Sequence, residues 1–378
     1  MGPLSVIHYY KNNKKRFLSI YISVILSVIL LYTLQMVIFS MYRTGSKVAI
    51  EPKKYYSTVA PKGELLNEFI IDNISQIEGV QKVIPCVFDV TTIHAGIGVN
   101  YSTTILSIKM ESIVEMLDLM KLHVCEGRLP ENKYEILLHK HVAANKNLSI
   151  GDSIGRMVSK TETLPGSYHI TGIIDGSSLV SFAPIESYIE TYHLPYEYIY
   201  GGLVLPKENS LKQMNENLDA MMPINYQIDT LTVQMDWQKE YTTKFNILLS
   251  VANIFIILIV SSCIGFLFYI YFSQRRSEFG LLWAIGFSRQ KVINRAFAEV
   301  NFINLLGFVS GILISILIGL FLNYIYFTPI GDSLQIVDLK YVLGAAGTPV
   351  FVTLFSLIPI WRSLKKLDPI SIIDGSLL

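Results

Sequence analysis

Four long runs of apolar residues dominate the chain, and none of them contains Asp, Glu, Lys or Arg. The runs are Phe17–Met41, Phe245–Gln274, Val300–Gly331 and Tyr341–Trp361. Each is at least as long as the roughly 20 residues that a helix needs to cross a bilayer core. The first run exceeds the roughly 7–15 apolar residues of a secretory signal, and no cleavage site of small residues follows it. The pattern therefore predicts four transmembrane helices.

Between the first and second runs, short apolar stretches alternate with turn residues, as they do in a folded α+β domain. Strand-like stretches lie at 80–90, 102–109, 134–138 and 168–174, and helical ones at 65–77, 113–122 and 140–146. We expect an integral membrane α-helical protein with one plus three transmembrane helices around a large extracytoplasmic α+β domain. The composition, 51% hydrophobic and only 16% charged, excludes an ordinary soluble protein.

Basic residues are concentrated at the ends of the predicted helices on one side, which orients the chain because Lys and Arg are retained in the cytoplasm. They are Lys11, Lys14, Lys15 and Arg16, then Arg275, Arg276, Arg289, Lys291 and Arg295, then Arg362, Lys365 and Lys366. We expect a multi-pass protein of the cell membrane with both termini inside. The predicted boundaries are a cytoplasmic N-terminus at 1–16, helices at 17–41, 245–274, 300–330 and 341–361, an extracytoplasmic domain at 42–244, a cytoplasmic segment at 275–299 and a cytoplasmic C-terminus at 362–378. The net charge of +1 gives no sign of nucleic-acid binding.

The second cytoplasmic segment has the pattern of a short amphipathic helix. Glu278, Leu281, Leu282 and Ile285 recur at helical spacing, Gly286 suits the end of that helix, and Ser288 suits the cap of the next one. From the residues alone, this helix either anchors the loop at the membrane surface or forms a docking surface for a soluble partner.

Two stretches resemble the signatures of FtsX-like permeases. They are residues 275–289 (RRSEFGLLWAIGFSR) and residues 359–373 (PIWRSLKKLDPISII). The predicted outer domain is similar to the periplasmic core domain of MacB-type transporters, through residues 77–80, 126–130, 134–138, 148–154 and 170–174. The order of these motifs and the one-plus-three helix arrangement both resemble that family.

The resemblance implies a permease subunit of an ABC transporter that works by mechanotransmission. It implies a homo- or heterodimer of permease chains on two ATP-binding subunits, with a coupling helix that passes ATPase motion to the outer domains. The residues expected to dock the ATPase are Glu278, Phe279, Gly280, Leu281, Leu282, Ala284, Ile285, Gly286 and Ser288. An extracytoplasmic adaptor or membrane fusion protein stays open as a further partner.

The energy source is expected on another chain. No Gly-x-x-x-x-Gly-Lys-Ser/Thr phosphate loop occurs in the sequence, so ATP and Mg are expected in a partner ATPase and no cofactor on this chain. An ion-driven transporter is disfavoured because the four apolar runs hold no ionisable residue of the acidic or basic classes. The chain is therefore expected to be a transporter subunit rather than an enzyme.

Two functions of different class fit these features. The first is export or extraction of a hydrophobic or amphipathic substrate, such as a peptide, lipid or drug. The alternative is a non-transporting regulator of the FtsX type that activates an extracellular partner. The size of the outer domain favours the first, because regulators of that type generally carry a smaller one.

The remaining features have more than one interpretation. Small residues that recur on the first and third predicted helices mark either intrachain helix packing or a dimer seam. They are Ser19, Ser23 and Ser27, then Gly307, Gly311, Ser315 and Gly319. His139 and His141 begin a predicted surface helix without the further ligands of a metal site, and spacing cannot decide whether Cys86 and Cys125 pair. We predict no catalytic residue and no metal site.

Overall fold

The computed structural model describes residues 14–62, 66–94, 99–192, 201–221 and 226–365. The chain divides into two compact units. The first, the helical unit, comprises residues 1–38, 245–322 and 334–378, and the second, the large domain, comprises residues 39–244 and 323–333. Residues 1–13 and 366–378, including the end of the second signature stretch, lie outside the described residues.

Four helices in the described parts of the chain are long and apolar enough to cross a membrane. They are α1 (Lys14–Ala49), α7 (Leu231–Gln274), α9 (Arg289–Leu322) and α10 (Leu339–Lys365). A π-helical turn, Asn323–Phe327, follows α9, and the short helix α8 (Arg276–Ala284) separates α7 from α9. These helices lie where the apolar runs predicted them.

The first two membrane helices are longer than their apolar runs. Helix α1 continues eight residues past Met41, and α7 begins fourteen residues before Phe245. Both extensions belong to the large domain, so each helix contributes residues to both units. The extensions carry Arg43, Lys47 and Lys244, which explains why hydropathy alone ended the predicted membrane spans earlier.

The large domain is built on a ten-stranded mixed sheet. Its strand order is β10-β1-β9-β2-β3-β8-β5-β7-β4, with β6 paired to β7. The β3–β8 and β5–β7 pairs are parallel and the others antiparallel. The strands are β1 (Ser57–Pro61), β2 (Val80–His94), β3 (Asn100–Ile108), β4 (His123–Gly127), β5 (Glu135–His139), β6 (Ser153–Ile154), β7 (Tyr168–Asp175), β8 (Val180–Pro184), β9 (Gly201–Pro206) and β10 (Tyr226–Asp229).

Among the residues that the structure describes, five further α-helices belong to the large domain, and their apolar faces pack in four core clusters with the sheet. They are α2 (Glu68–Ser75), α3 (Met110–Leu119), α4 (Lys140–Lys146), α5 (Glu186–Tyr192) and α6 (Leu211–Met221). Helix α2 begins where the Asn67 side chain accepts a hydrogen bond from the Ile70 N–H at 2.9 Å, as an N-cap residue does. Its Ile70 and Ile74 then pack with Met214 of α6.

The predicted fold class is confirmed, since the described residues contain four candidate membrane helices and an α and β domain occupies the sequence between the first and the second. One local expectation was wrong. His139 and His141 were placed at the start of a surface helix, but both side chains are buried, because α4 packs its first turn against the sheet. His139 accepts the His141 N–H at its Nδ1 atom and so caps α4.

The structure also answers the question of a disulfide. Cys86 lies on β2 and Cys125 on β4, and both are free thiols. Four strands separate β2 from β4 in the sheet order. Five strand spacings of about 4.8 Å each are far more than the roughly 4–7 Å between Cα atoms that a disulfide spans.

Candidate coupling site

Helix α8 and its flanking turns form the short segment that the sequence marked for docking. The helix ends in a Schellman motif, in which Gly286 N–H bonds the Trp283 carbonyl at 2.9 Å and Phe287 N–H bonds the Leu282 carbonyl at 3.1 Å. Gly286 has φ +101°, a conformation that glycine adopts without strain. The Ser288 carbonyl then accepts the first hydrogen bonds of α9, from Lys291 and Val292. The tight turn lets two helices follow each other directly.

One face of α8 is anchored in the core of the helical unit. Phe279, Gly280 and Trp283 are buried, and Leu282 is half-buried against the same cluster. The opposite face exposes large apolar side chains, with Leu281 62% and Ile285 66% exposed. Four other predicted docking residues, Glu278, Ala284, Gly286 and Ser288, are exposed as well.

A cluster of four charged residues joins α8 to the two membrane helices beside it. This ion cluster consists of Arg275, Glu278, Arg295 and Glu299. Arg275 follows the last residue of α7 and is only 1% exposed, whereas Glu299 lies in the third turn of α9 and is fully buried. Arg275 Nη1 donates to Glu299 Oε2 at 2.7 Å, and Arg275 Nε donates to Glu278 Oε2 at 2.9 Å. Arg295 Nε donates to the second Glu299 oxygen at 3.1 Å.

Aromatic side chains surround the Arg275 guanidinium. Its central carbon lies 5.0 Å from the ring centre of Tyr271, 5.1 Å from that of Phe279 and 5.8 Å from that of Phe272. The Tyr271 hydroxyl also accepts a hydrogen bond from Nη1 at 2.9 Å. Ring faces attract a cation most strongly where water is excluded, so the cage favours arginine at this position.

The charges of the ion cluster balance, which is what permits their burial. Burial by itself lowers the pKa of Arg275, but the Glu299 carboxylate more than offsets this, so the pKa lies above its ordinary value. The guanidinium therefore stays charged. The ion cluster connects the end of α7, the start of α8 and the first three turns of α9 through ion pairs.

The sequence analysis did not predict this ion cluster. Arg275 was interpreted as a basic residue that orients the chain and as the first residue of the signature stretch 275–289, and Glu299 was not singled out. The signal was present, because Arg275 comes one residue after the second apolar run and Glu299 one residue before the third. Opposite charges at the adjoining ends of consecutive membrane helices are placed to pair.

The small residues of the third predicted helix pack within the chain. A Cβ atom on Gly307 would lie 2.6 Å from Val24 Cγ1, and one on Gly311 would lie 2.7 Å from Val28 Cβ. Gly319 faces Met36 in the same way, and Ser315 between them is buried. This stripe therefore packs against α1 of the same chain.

The stripe on the first predicted helix divides. Ser27 is buried and donates to the Val24 carbonyl at 2.7 Å, whereas Ser23 is half-buried and Ser19 is exposed. Within the part of the chain that the structure describes, no group of three or more His, Cys, Asp or Glu side chains is arranged to hold a metal ion.

The C-terminal part of the chain is similar to a known permease family. Residues 250–367 match the family model described as FtsX-like permease C-terminal. These residues include most of α7 and all of α8 and α9, and hence the whole ion cluster.

A curated relative is an ABC transporter permease. The uncharacterized ABC transporter permease protein Rv0987 of Mycobacterium tuberculosis is 23% identical over 219 residues. The match spans 56% of this chain and 25% of the relative, so the chain corresponds to about a quarter of that protein.

Two solved structures are similar to the large domain. The periplasmic region of MacB from Actinobacillus actinomycetemcomitans matches at 14% identity and a TM-score of 0.31, covering 50% of this chain and 94% of that one. The extracellular domain of the noncanonic ABC-type transporter YknZ from Gram-positive bacteria matches at 14% identity and a TM-score of 0.29, covering 46% and 98%.

Proposed function

We propose that this chain is the membrane subunit of an FtsX-type ABC transporter that works by mechanotransmission. A separate subunit binds ATP and Mg and docks on α8. Hydrolysis moves the ion cluster and the two long helices, and the large domain acts on a hydrophobic or amphipathic substrate outside the cell. The positive-inside distribution of Lys and Arg supports a cytoplasmic position for α8 and for both termini.

The observation that carries the proposal is the division of α8 into an anchored and an exposed face. Leu281 and Ile285 present apolar surface on a helix whose other face is packed into the core of the helical unit through Phe279, Gly280 and Trp283, while Arg275, just before the helix, is held in the ion cluster. A helix that only lay in the membrane surface would need no such rigid attachment. A helix that receives force needs one, because otherwise the force would bend the segment instead of moving α7 and α9.

The lengths of α1 and α7 support transmission over a distance. They contain 36 and 44 residues, which at 1.5 Å per residue is about 54 and 66 Å of helix. A bilayer core requires only about 30 Å. Both helices supply residues to the large domain, so a displacement at the coupling segment has a continuous path to it.

The dimeric state and the partner belong to the same proposal. The resemblance implies a pair of permease chains on two ATP-binding subunits; a homodimer of this chain would present two copies of α8, and a heterodimer would present one copy beside the corresponding helix of its partner. Because the stripe of α9 packs against α1 of the same chain, we place the dimer seam on another surface. An adaptor on the large domain is compatible with the proposal but is not required by it.

The test is a purification of the chain from its native membrane in mild detergent, followed by identification of co-purifying proteins and an ATPase assay. The test variant carries Leu281→Asp and Ile285→Asp, both on the exposed face of α8. Its control is Leu129→Asp, the same change at an exposed leucine of the large domain. We expect the wild type and the control to recover an ATP-binding subunit with activity.

In the α8 double variant, the recovered ATPase activity should fall at least tenfold while membrane insertion is unchanged. These positions are better tests than Leu282, whose half-buried side chain contributes to the core. A double variant that keeps full coupled activity would contradict the docking assignment. A wild-type chain that purifies without any ATPase would contradict the transporter proposal itself.

A further inference from the structure

A cleft of about 400 Å³ opens in the large domain, well within the size range of ligand sites. One wall is the face of strands β10, β1, β2 and β3, and the other is formed by the last turn of α1, the 3₁₀ turn Pro52–Lys54 and the first turn of α7. All of these residues belong to the large domain. The cleft thus lies at the ends of both long helices that belong to that domain, the last turn of α1 and the first turn of α7.

The centre of the strand wall is apolar. Phe88 and Val90 lie on the same face of β2, next to Leu106 and Thr104 in register on β3. Phe88 packs against the buried cluster beneath, whereas Val90 is exposed at the mouth. Gly201 on β9 leaves room for the Phe88 ring, since a Cβ atom there would lie 2.6 Å from it.

The opposite end of the cleft is polar and is arranged around one carboxylate. Asp229 Oδ2 pairs with Lys53 Nζ at 2.8 Å, and Asp229 Oδ1 accepts a hydrogen bond from Gln234 Nε2 at 2.7 Å. Lys53 also donates to Thr58 Oγ1 at 2.8 Å, and its side chain is only 10% exposed. One carboxylate thus links the turn after α1 to the first turn of α7.

Hydrogen-bonding capacity remains for a ligand. Lys53 Nζ has three donors and uses two on acceptors among the described residues. The Gln227 side chain, beside Ala60 at the cleft wall, makes no hydrogen bond within the described part of the chain and offers both a donor and an acceptor. The cleft therefore supplies donors and acceptors within reach of an apolar surface.

The charge balance selects a neutral ligand group. Lys53 and Asp229 cancel each other, so an ion that entered the cleft would lose hydration without a net opposite charge to compensate. A peptide group carries one donor and one acceptor and no charge, which matches what the cleft offers. Phe88 and Val90 then accept an apolar side chain of the same peptide.

The length of α1 between its apolar run and the cleft favours a peptide over a membrane lipid as the ligand. Eight residues of α1 separate Met41, the last residue of the apolar run, from Ala49 at the cleft. At 1.5 Å per residue this is about 12 Å of helix, and it carries the charged residues Arg43 and Lys47. A soluble ligand reaches this level directly, whereas a lipid would first have to leave the bilayer.

We propose that this cleft binds a short uncharged segment of an amphipathic peptide. The peptide backbone hydrogen-bonds to Lys53, Gln227 and Asp229, and an aliphatic or aromatic side chain lies on Phe88 and Val90. Because the same Asp229 carboxylate links the ends of α1 and α7, a bound peptide competes for the groups that hold these helices together. Occupancy is thereby communicated to both long helices.

The test uses the full chain in lipid nanodiscs and the probe dansyl-Gln-Leu-Gln-Phe-Gln amide, whose fluorescence rises in apolar surroundings. Protein-free nanodiscs supply the background. The test variant is Val90→Arg, which fills the mouth of the cleft with a charged side chain. Its control is Val114→Arg, the same change at an exposed valine on α3, outside the cleft.

We expect saturable binding by the wild type and by Val114→Arg, at least tenfold weaker binding by Val90→Arg, and displacement by the acetylated peptide without the dye. Absence of saturable binding above background would overturn the proposal, as would equal binding by Val90→Arg. Displacement only by a short-chain phosphatidylcholine would overturn it in favour of a lipid. The assay contains no ATP-binding subunit, so its failure and that of the transporter proposal are distinguishable.

Discussion

Arg275 and Glu299 show how a charge is kept inside a membrane protein at the residue scale. Both side chains are buried and form an ion pair with each other, and three aromatic rings surround the Arg275 guanidinium. Removing one partner of a buried pair leaves the other charge uncompensated. The pair is therefore most informative when only one of its members is changed.

Glu299→Gln should destabilise the protein strongly, because Arg275 would lose its buried counter-charge. Breaking a buried pair costs about 3–5 kcal/mol, whereas an exposed pair contributes about 0–1 kcal/mol. The matched control is Glu278→Gln, which removes the half-exposed partner of the same arginine. Thermal unfolding in detergent should show a much larger fall in the midpoint for Glu299→Gln, and equal shifts would contradict the assignment.

His139 gives a pH dependence whose sign follows from its burial. Desolvation lowers the pKa of His139 to about 4 in the folded protein, against about 6.5 in the unfolded chain. As the pH falls from about 6.5 towards 4, the unfolded state takes up a proton that the folded state does not. The stability present above pH 6.5 is lost over this window, up to about 3 kcal/mol at roughly 1.4 kcal/mol per pKa unit.

The measurement compares the thermal midpoint at pH 7.0 and pH 4.5 for the wild type and for His139→Asn. Asparagine is a good N-cap residue but does not titrate, so it should cap α4 without the pH dependence. The fall in midpoint between the two pH values should be smaller in the variant. An identical fall would mean that other groups cause the acid sensitivity.

At the scale of elements, the approach of α1 to α9 depends on which side chain faces each glycine. Val24 faces Gly307 with a branched, stiff side chain, whereas Met36 faces Gly319 with a flexible one. Alanine is otherwise better than glycine in a helix by about 1 kcal/mol. The two glycines therefore differ in what an added methyl group would displace.

Gly307→Ala should lower stability by about 1–3 kcal/mol, since the new methyl group overlaps Val24 and pushes the helices apart. Gly319→Ala should cost less, because its nearest neighbour is the sulfur of the flexible Met36 side chain and Ile336 Cγ2, at 3.1 Å, needs to move only slightly. Thermal midpoints of the two variants in the same nanodiscs make the comparison. A larger fall in the thermal midpoint for Gly319→Ala than for Gly307→Ala would contradict this difference between stiff and flexible contacts.

At the scale of the whole molecule, the predicted topology places the large domain and the coupling segment on opposite sides of the membrane. Cys125 is exposed on β4 of the large domain and Cys86 is buried on β2. With Cys263 replaced by serine, a membrane-impermeant maleimide should label Cys125 in intact cells. Ser277→Cys on α8, in a background without the native cysteines, should react only after the cells are permeabilised.

The reverse labelling pattern would invert the topology and with it the docking role of α8. Labelling of both positions in intact cells would contradict a membrane barrier between them. Since the bias in Lys and Arg is the basis of the orientation, this experiment tests the charge argument independently of any partner protein.

Much of the architecture was predictable, because its signals are local. Apolar runs predicted the four membrane helices, and strand-like patterns predicted four of the ten strands described in the large domain, at 80–90, 102–109, 134–138 and 168–174. The burial of single side chains was not predictable in the same way. His139 and His141 were placed on a surface although both are buried, because burial depends on elements that lie far away in the sequence.

By itself, the sequence determined the number of membrane helices, the α and β character of the large domain and the turn at Gly286. Each depends on residues within about 20 positions of one another. Only the tertiary structure decided that Arg275 pairs with Glu299, that α1 fills the glycine stripe of α9, and that Lys53 and Asp229 meet at one cleft. These contacts join distant parts of the chain, and their stability comes from the burial that folding creates.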